Sequence, residues 1–535
     1  MQFKRSFLLF PIIGLILFSC AQVVSPTGGE RDTTPPVVIR EFPENQSTLF
    51  KSNEIEITFD EYIQLNNISE ELTISPPLDY QPNVRLKGKT IVIQLNDTLL
   101  ENTTYSFNFG SAIKDNHEGN ELPNYQYAFS TGKNIDTLKL SGLALDAFTI
   151  EPLKEVLVML YDEPADSTPY LKLPRYISKT NSSGEFLIRN IKEGSYLLFA
   201  LEDKNRNYKF DQANELIAFK KDLVKVTGDT LGVKLFGFLE DKQPQYLKKS
   251  AIKNNTLQLI LNRPADTIDI RPLTNQINKS DFFKKIYPVK DTVDFFFTRS
   301  DSSSFLVEVL VSNQPIDTIE ASILPLPESD TLLESIQSFP QGNHKISKPI
   351  SIVFSTPLTR IDTTKISLTI DSVITDFSVS LKEPYSKKAI LSTQINEASS
   401  YQIVALPGAF IDIFGRINDT IYSNFKTTEY KDYGNLSVTL NSVMEGADIP
   451  LIIQLSNSSK QLIASSIITN NETIDFNNLN SGTYTLKVIF DSNKNGKWDT
   501  GDFSKKQLPE KAALYEGEIT IRSNWDKKID WNITP

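Results

Sequence analysis

Apolar and polar residues alternate along most of this chain. In "NEIEITFDEY" the apolar positions are Ile55, Ile57 and Phe59, in "TLQLILN" they are Leu257, Leu259 and Leu261, and in "NLSVTL" they are Leu436, Val438 and Leu440. A period of two places each set on one face of a strand whose other face meets water. No stretch carries the long 3.6-residue period of an amphipathic helix. Turn-forming clusters such as "PENQS", "DNHEGN", "NSSGE" and "SNSSKQ" break the alternation at short intervals, as sandwiches of short antiparallel strands require. The pattern predicts an all-β fold.

Self-comparison organises the strands into modules. "NIKEGSYLLFALEDKNRNYKFD" and "NLNSGTYTLKVIFDSNKNGKWD" align without a gap, matching Asn190 with Asn478, Gly194 with Gly482, Tyr196 with Tyr484, Asp203 with Asp491 and Asp211 with Asp499. A looser pair joins "GSAIKDNHEGNELPNYQYAFST" to "PGAFIDIFGRINDTIYSNFKTT", with Asp115 opposite Asp412 and Gly119 opposite Gly415. Two module types therefore recur: 33–132 with 335–430, and 136–240 with 432–535. Between them, 243–333 reads as a sandwich of uncertain type. At 535 residues, about five such domains fit the usual domain size of roughly 100–150 residues.

Composition narrows the setting. A formal charge of −11 and the lack of any basic run argue against nucleic acid, whose phosphates need a basic face. The start reads as an export signal over 1–19: Lys4 and Arg5 precede the apolar "SFLLFPIIGLILF", which is shorter than the roughly 20 residues of a membrane-spanning helix. Cys20 is the single cysteine, so the folded modules are expected to stand without disulfides. "LFSC" resembles the lipobox of bacterial lipoproteins, which implies a diacylglyceryl group on Cys20, cleavage before it and acylation of the new N-terminus. Several acyl chains make such attachment effectively permanent, where one myristoyl chain binds only reversibly. Residues 20–34, with Gly, Pro, Ser and Thr, then form a tether to the first fold.

The opening "SCAQVVSPTGGERDTTPPVV", followed by a domain ending "IKDNHEGNELPNYQYAFSTG", resembles the Ig-like-domain lipoproteins of Bacteroidota, whose first domain is similar to surface-layer-type bacterial Ig modules. The 136–240 and 432–535 segments resemble prealbumin-like or carboxypeptidase-regulatory-like β-sandwiches. The resemblance implies a modular architecture and a lipid-anchored place in the cell envelope at the outer membrane, with its periplasmic or surface face left open.

The best candidate for bound chemistry is "DSNKNGKWDTGD". A hand-type calcium loop takes ligands at positions 1, 3, 5, 7, 9 and 12 with Gly at 6. Those positions read Asp491, Asn493, Asn495, Lys497 through its carbonyl, Asp499 and Asp502, with Gly496 at the turn. A structural Ca2+ is expected there, between strands. The earlier copy is a weaker site: Asp203, Asn205, Asn207, Lys209 and Asp211 remain, but Tyr208 replaces the glycine and is expected to worsen the turn. The alternative for both is a solvated Asp/Asn/Gly turn.

Catalysis has little to draw on. His117 and His344 are the only histidines and both are expected in solvated loops, so neither a Cys/His pair nor a multi-histidine zinc site can be assembled. Of the three tryptophans, Trp531 alternates with Ile529 and Ile533 as a core residue, Trp498 is expected to plug its loop, and Trp525 is the candidate exposed platform for a sugar ring. Asp-Thr and Asp-Ser pairs recur at Thr33, Thr98, Thr137, Ser167, Thr230, Thr267, Thr292, Thr318, Thr331, Thr363, Ser372 and Thr420. They resemble the acceptor sequence of periplasmic O-glycosylation in Bacteroidota; turn closure before a strand accounts for the same pairs without sugar. The sequence thus points to a non-catalytic envelope scaffold or protein-interaction module whose partner is an outer-membrane barrel, another envelope protein or surface polysaccharide. A carbohydrate-binding surface lipoprotein is the alternative, and an envelope hydrolase comes third.

Overall fold

The computed structural model describes residues 32–533 except 243, 254, 275–276, 288–290, 299–301, 325–331, 382, 443–448 and 469–471. Cys20 and Thr331 lie outside the described residues. The fold is all-β: among the described residues the α-helices are two single turns, Ile68–Glu71 and Thr168–Leu171. None is long and apolar enough to cross a membrane.

The alternation read from the sequence is the alternation of burial. Glu54–Phe59 buries Ile55, Ile57 and Phe59 and leaves the intervening side chains partly exposed; Leu257, Leu259 and Leu261 do the same, as do Leu436, Val438 and Leu440. Five hydrophobic cores result among the described residues, spanning Phe50–Phe129, Leu140–Leu235, Leu257–Ile323, Leu333–Phe425 and Leu436–Ile533. Each is closed between two sheets. Removing a large side chain such as Phe107, which is fully buried, would cost about 3–5 kcal/mol in its own core.

The chain divides into two compact units: residues up to Leu145 with Glu151–Gly237, and Asp146–Ile150 with Phe238 onward. The first holds two sandwiches. In one, the sheet of Val38–Phe42, Glu54–Phe59, Thr90–Gln94 and Asn83–Lys87 faces the sheet of Thr73–Ser75, Thr104–Asn108 and Gln126–Ser130. In the other, Glu185–Ile191, Leu138–Asp146 and Thr230–Gly237 face a five-stranded sheet built around Leu157–Tyr161 and Gly194–Leu201.

The second unit repeats both topologies and adds one. Thr473–Leu479, Gly434–Ser442 and Asp526–Ile533 face a five-stranded sheet around Leu451–Asn457 and Gly482–Phe490, strand for strand as in the earlier copy. Ile366–Ile370, Ser400–Ala405 and Ile421–Thr427 repeat the three-stranded sheet of the first sandwich. Here the copies diverge. Thr73–Ser75 ends its sheet as an edge strand, whereas Ile366–Ile370 is covered by the short strand Val373–Ile374. Leu257–Ile323 packs a four-stranded sheet on a three-stranded one.

In the first and fourth sandwiches one buried aspartate closes the matching loop. Asp115 accepts hydrogen bonds from the backbone N–H groups of His117 (2.8 Å), Glu118 (2.6 Å), Gly119 (3.0 Å) and Asn120 (2.8 Å). Burial raises its pKa, but those four donors outweigh it and hold the carboxyl at about 2. Asp412 accepts from Phe414 N (2.9 Å) and Arg416 N (2.8 Å) and pairs with the buried Arg416 guanidinium. His344 corrects the sequence expectation: it sits buried in the strand Gly342–His344, its Nε2 at 3.0 Å from the Lys348 carbonyl and its ring edge-on to Phe425. Burial lowers its pKa. His117 is exposed in its turn, as expected.

The sign of the Asp115 shift sets an acid dependence. With a native pKa below the unfolded value near 3.9, the carboxylate contributes stability that is complete above about pH 5 and is lost as pH falls toward 2. Asp115→Asn should lower the urea midpoint of the first sandwich at pH 6 and flatten its dependence on pH between 6 and 3. Urea titrations read by hydrogen exchange of residues 104–130 check both.

Candidate functional site: two hand-like loops

Both hand-like loops leave the end of a central strand, Gly194–Leu201 in one copy and Gly482–Phe490 in the other. They share most of their hydrogen bonds. Asp491, 1% exposed, accepts from Asn495 N (3.0 Å) and Gly496 N (2.7 Å); Asp203 accepts from Arg206 N (2.7 Å), Asn207 N (3.3 Å) and Tyr208 N (2.8 Å). Asn495 Oδ1 takes Lys497 N (3.0 Å), as Asn207 Oδ1 takes Lys209 N (2.8 Å). Asn493 Nδ2 donates to Asp499 (2.6 Å) and Asn495 Nδ2 joins it there; Asn205 and Asn207 donate to Asp211 at 3.0 and 2.6 Å. Tyr208 does not spoil its turn: with φ 59° it takes the left-handed conformation that Gly496 takes at φ 76°.

Sequence comparison missed the group that clasps each loop shut. Glu510 Oε1 accepts from Ser492 N (2.6 Å) and Oε2 from Asp499 N (3.2 Å). Glu215, fully buried, accepts from Lys204 N (3.1 Å), Asp211 N (3.2 Å) and Gln212 N (3.1 Å). Lys204 aligns with Ser492 and Asp211 with Asp499, so the glutamates act on the same two amides. They do not align with each other, because the second copy carries extra residues between the loop and its glutamate. Burial pushes the Glu510 carboxyl up against the donors that hold it down.

The residues of the expected ligand set are engaged as follows. Asp502 is turned to Ser504 (2.6 Å), Lys242 (3.0 Å) and Lys505 (3.0 Å), which together hold its carboxyl far below the usual range although burial raises it. Asn493 and Asn495 aim amide nitrogens, not oxygens, at Asp499. Among the described residues no three His, Cys, Asp or Glu side chains are grouped to hold a metal. As folded, both loops are closed by hydrogen bonds among their own carboxylates, amides and backbone groups.

The loops differ in what they touch. Arg206 Nη2 donates to Glu70 Oε1 at 2.7 Å, fastening the first loop to the neighbouring sandwich of its unit. In the second loop Trp498 is half-buried, its Nε1 donating to the Glu510 carbonyl (2.9 Å) and its ring 5.1 Å from Phe148. Trp531 is a core residue against Tyr515, and Trp525 is 50% exposed beneath Arg522. Of the Asp-Thr positions, Thr33, Thr98, Thr137, Thr267, Thr318 and Thr420 are exposed, and Thr230 and Thr292 partly so.

Comparison with known proteins adds one assignment. Residues 32–131 match the family described as bacterial Ig-like domain. That bacterial Ig-like match falls on the first sandwich, whose loop Asp115 closes, and does not extend to the other four. No curated protein matches the sequence. Solved structures similar in part include the major pilin subunit BcpA of Bacillus cereus (10% identity over 74% of this chain and 98% of that one, TM-score 0.14). Domains 1–6 of the surface layer protein SbsC match with 13% identity over 91% and 67%, TM-score 0.14. The Bacteroides ovatus protein SGBP-B, solved with a mixed-linkage heptasaccharide, matches with 13% identity over 73% and 96%, TM-score 0.19.

Removing a clasp strands two amides. Glu510→Ala should destabilise the last sandwich by about 1 kcal/mol, the cost of losing hydrogen bonds to two partly buried donors. The transition of Trp498 fluorescence in urea should come earlier while probes in the Ig-like domain stay unchanged.

Proposed function

We propose that this protein is a non-catalytic scaffold of the cell envelope, anchored by lipid on Cys20 and presenting its β-sandwiches to an outer-membrane partner. The observation that carries the reading is the fixed junction in the first unit. Ile177 N donates to Ser75 Oγ (3.0 Å), Arg175 Nη2 to Thr103 Oγ1 (2.9 Å), and Arg206 to Glu70. Bonds at separated points along one junction hold two sandwiches in a set orientation, which suits a protein whose task is to position surfaces. Anchoring rests on the "LFSC" sequence.

Cys20→Ser tests the anchor. The variant should move from the detergent phase to the aqueous phase in phase partitioning and fail to incorporate an alkyne-tagged fatty acid; unchanged partitioning would remove the lipid from the account. Cross-linking of the wild-type protein in membranes, followed by mass spectrometry, identifies the partner, which should be an outer-membrane barrel or a subunit that travels with one.

For the hand-like loops we infer a structural role that hydrogen bonds already fulfil. Adding 1 mM calcium or a chelator should therefore leave the melting profile of the full chain unchanged. A rise of roughly 10–20 °C in one transition, the scale of a saturated ion site in a 100-residue domain, would restore calcium to the loop at 491–502.

A further inference from the structure

The junction in the first unit opens on one side into a cleft that no motif announces. One wall is the outer face of the Ig-like domain's three-stranded sheet, with Asn108 and Gln126; the other is the outer face of Glu185–Ile191, where Glu185, Leu187 and Arg189 alternate outward. Ser178 and Lys179, on the strand Tyr176–Lys179 beside Thr73–Ser75, form the floor. Two overlapping lobes have volumes of about 400 and about 640 Å³, within the 300–1,000 Å³ of ligand sites. The walls are held apart by the junction bonds and by Gln126 Nε2 donating to Asn190 Oδ1 (3.3 Å). A ligand would meet a preorganised surface.

We propose that this cleft binds a neutral, hydroxyl-rich glycan chain. Its chemistry selects the ligand class. Lining amides and hydroxyls each offer a donor and an acceptor, as sugar hydroxyls do. The Asn124 side-chain amide and the Arg189 guanidinium have no hydrogen-bond or ion-pair partner among the described residues. Charges balance, with Glu71, Glu155 and Glu185 against Lys179, Arg189 and Lys234, so a polyanion or polycation gains little. Apolar contact is confined to small spots such as Leu187, 36% exposed, enough for the face of one sugar ring but not for the alternate side-chain pockets that an extended peptide fills. The site is specific to the first pair of sandwiches, because Val373–Ile374 covers the corresponding edge in the other copy. The inference does not depend on the lipid anchor.

The test uses the labelled full chain on a microarray of neutral oligosaccharides beside an array of extended peptides, with each hit titrated as the free oligosaccharide. At least one neutral glycan should bind. Arg189→Ala and Ser182→Trp, at two exposed positions that both line the cleft, should each weaken it at least tenfold with melting unchanged, while Trp525→Ala leaves it intact. Should Ser182→Trp fail to fold, Arg189→Ala alone decides. No glycan retained, binding indifferent to the cleft variants, binding lost on Trp525→Ala, or binding of peptides only would each overturn the proposal.

Discussion

A carboxylate buried under its own loop is the interaction on which this structure depends. Short sandwiches return their chain through many turns, and every turn exposes backbone N–H groups that leave the strand ladder. No cysteine stands in any of the folded modules, so no covalent staple can hold those turns. Asp115 gathers four amides in one loop, and Asp412 gathers two amides and an arginine in its counterpart. In the hand-like loops, Asp491 with Glu510 and Asp203 with Glu215 divide the same task. Each carboxylate replaces lost water by fixed donors, which is the condition under which a charge can be buried at all.

The duplication shows how one solution is put to two uses. The hand-like loops share their backbone course and their bonds, yet one turns Arg206 toward Glu70 while the other places Trp498 against Phe148. The first and fourth sandwiches share a sheet order, yet one leaves an edge strand for its neighbour and the other covers it. Closure of a module is repeated faithfully; contact between modules is where the copies part. The cleft of the first unit is a product of that divergence.

Strand positions were legible in the sequence because burial in a sheet has a period of two, and Ile55, Ile57 and Phe59 state it without interference. The repeated loop was legible because its Asp and Asn positions share a register. Glu215 and Glu510 were not, since extra residues in the second copy move the clasp out of alignment while its geometry persists. His344 was misread because its neighbours Gly342 and Asn343 look like a turn, and only the pairing with Phe425–Thr427 makes it part of a sheet. The calcium reading rests on spacing alone, and spacing does not carry which end of each Asn amide faces Asp499. The cleft lay beyond reach altogether, as its floor joins Ser75 to Ile177 across 102 residues.

Native-state hydrogen exchange of the full chain at neutral pH tests the central claim most directly. If buried carboxylates close these loops, the amides of Glu118 to Asn120, Tyr208, Gly496 and Asp499 should exchange as slowly as those of the adjoining strands. Exchange of those amides at the rate of open coil, with the strands still protected, would contradict the account.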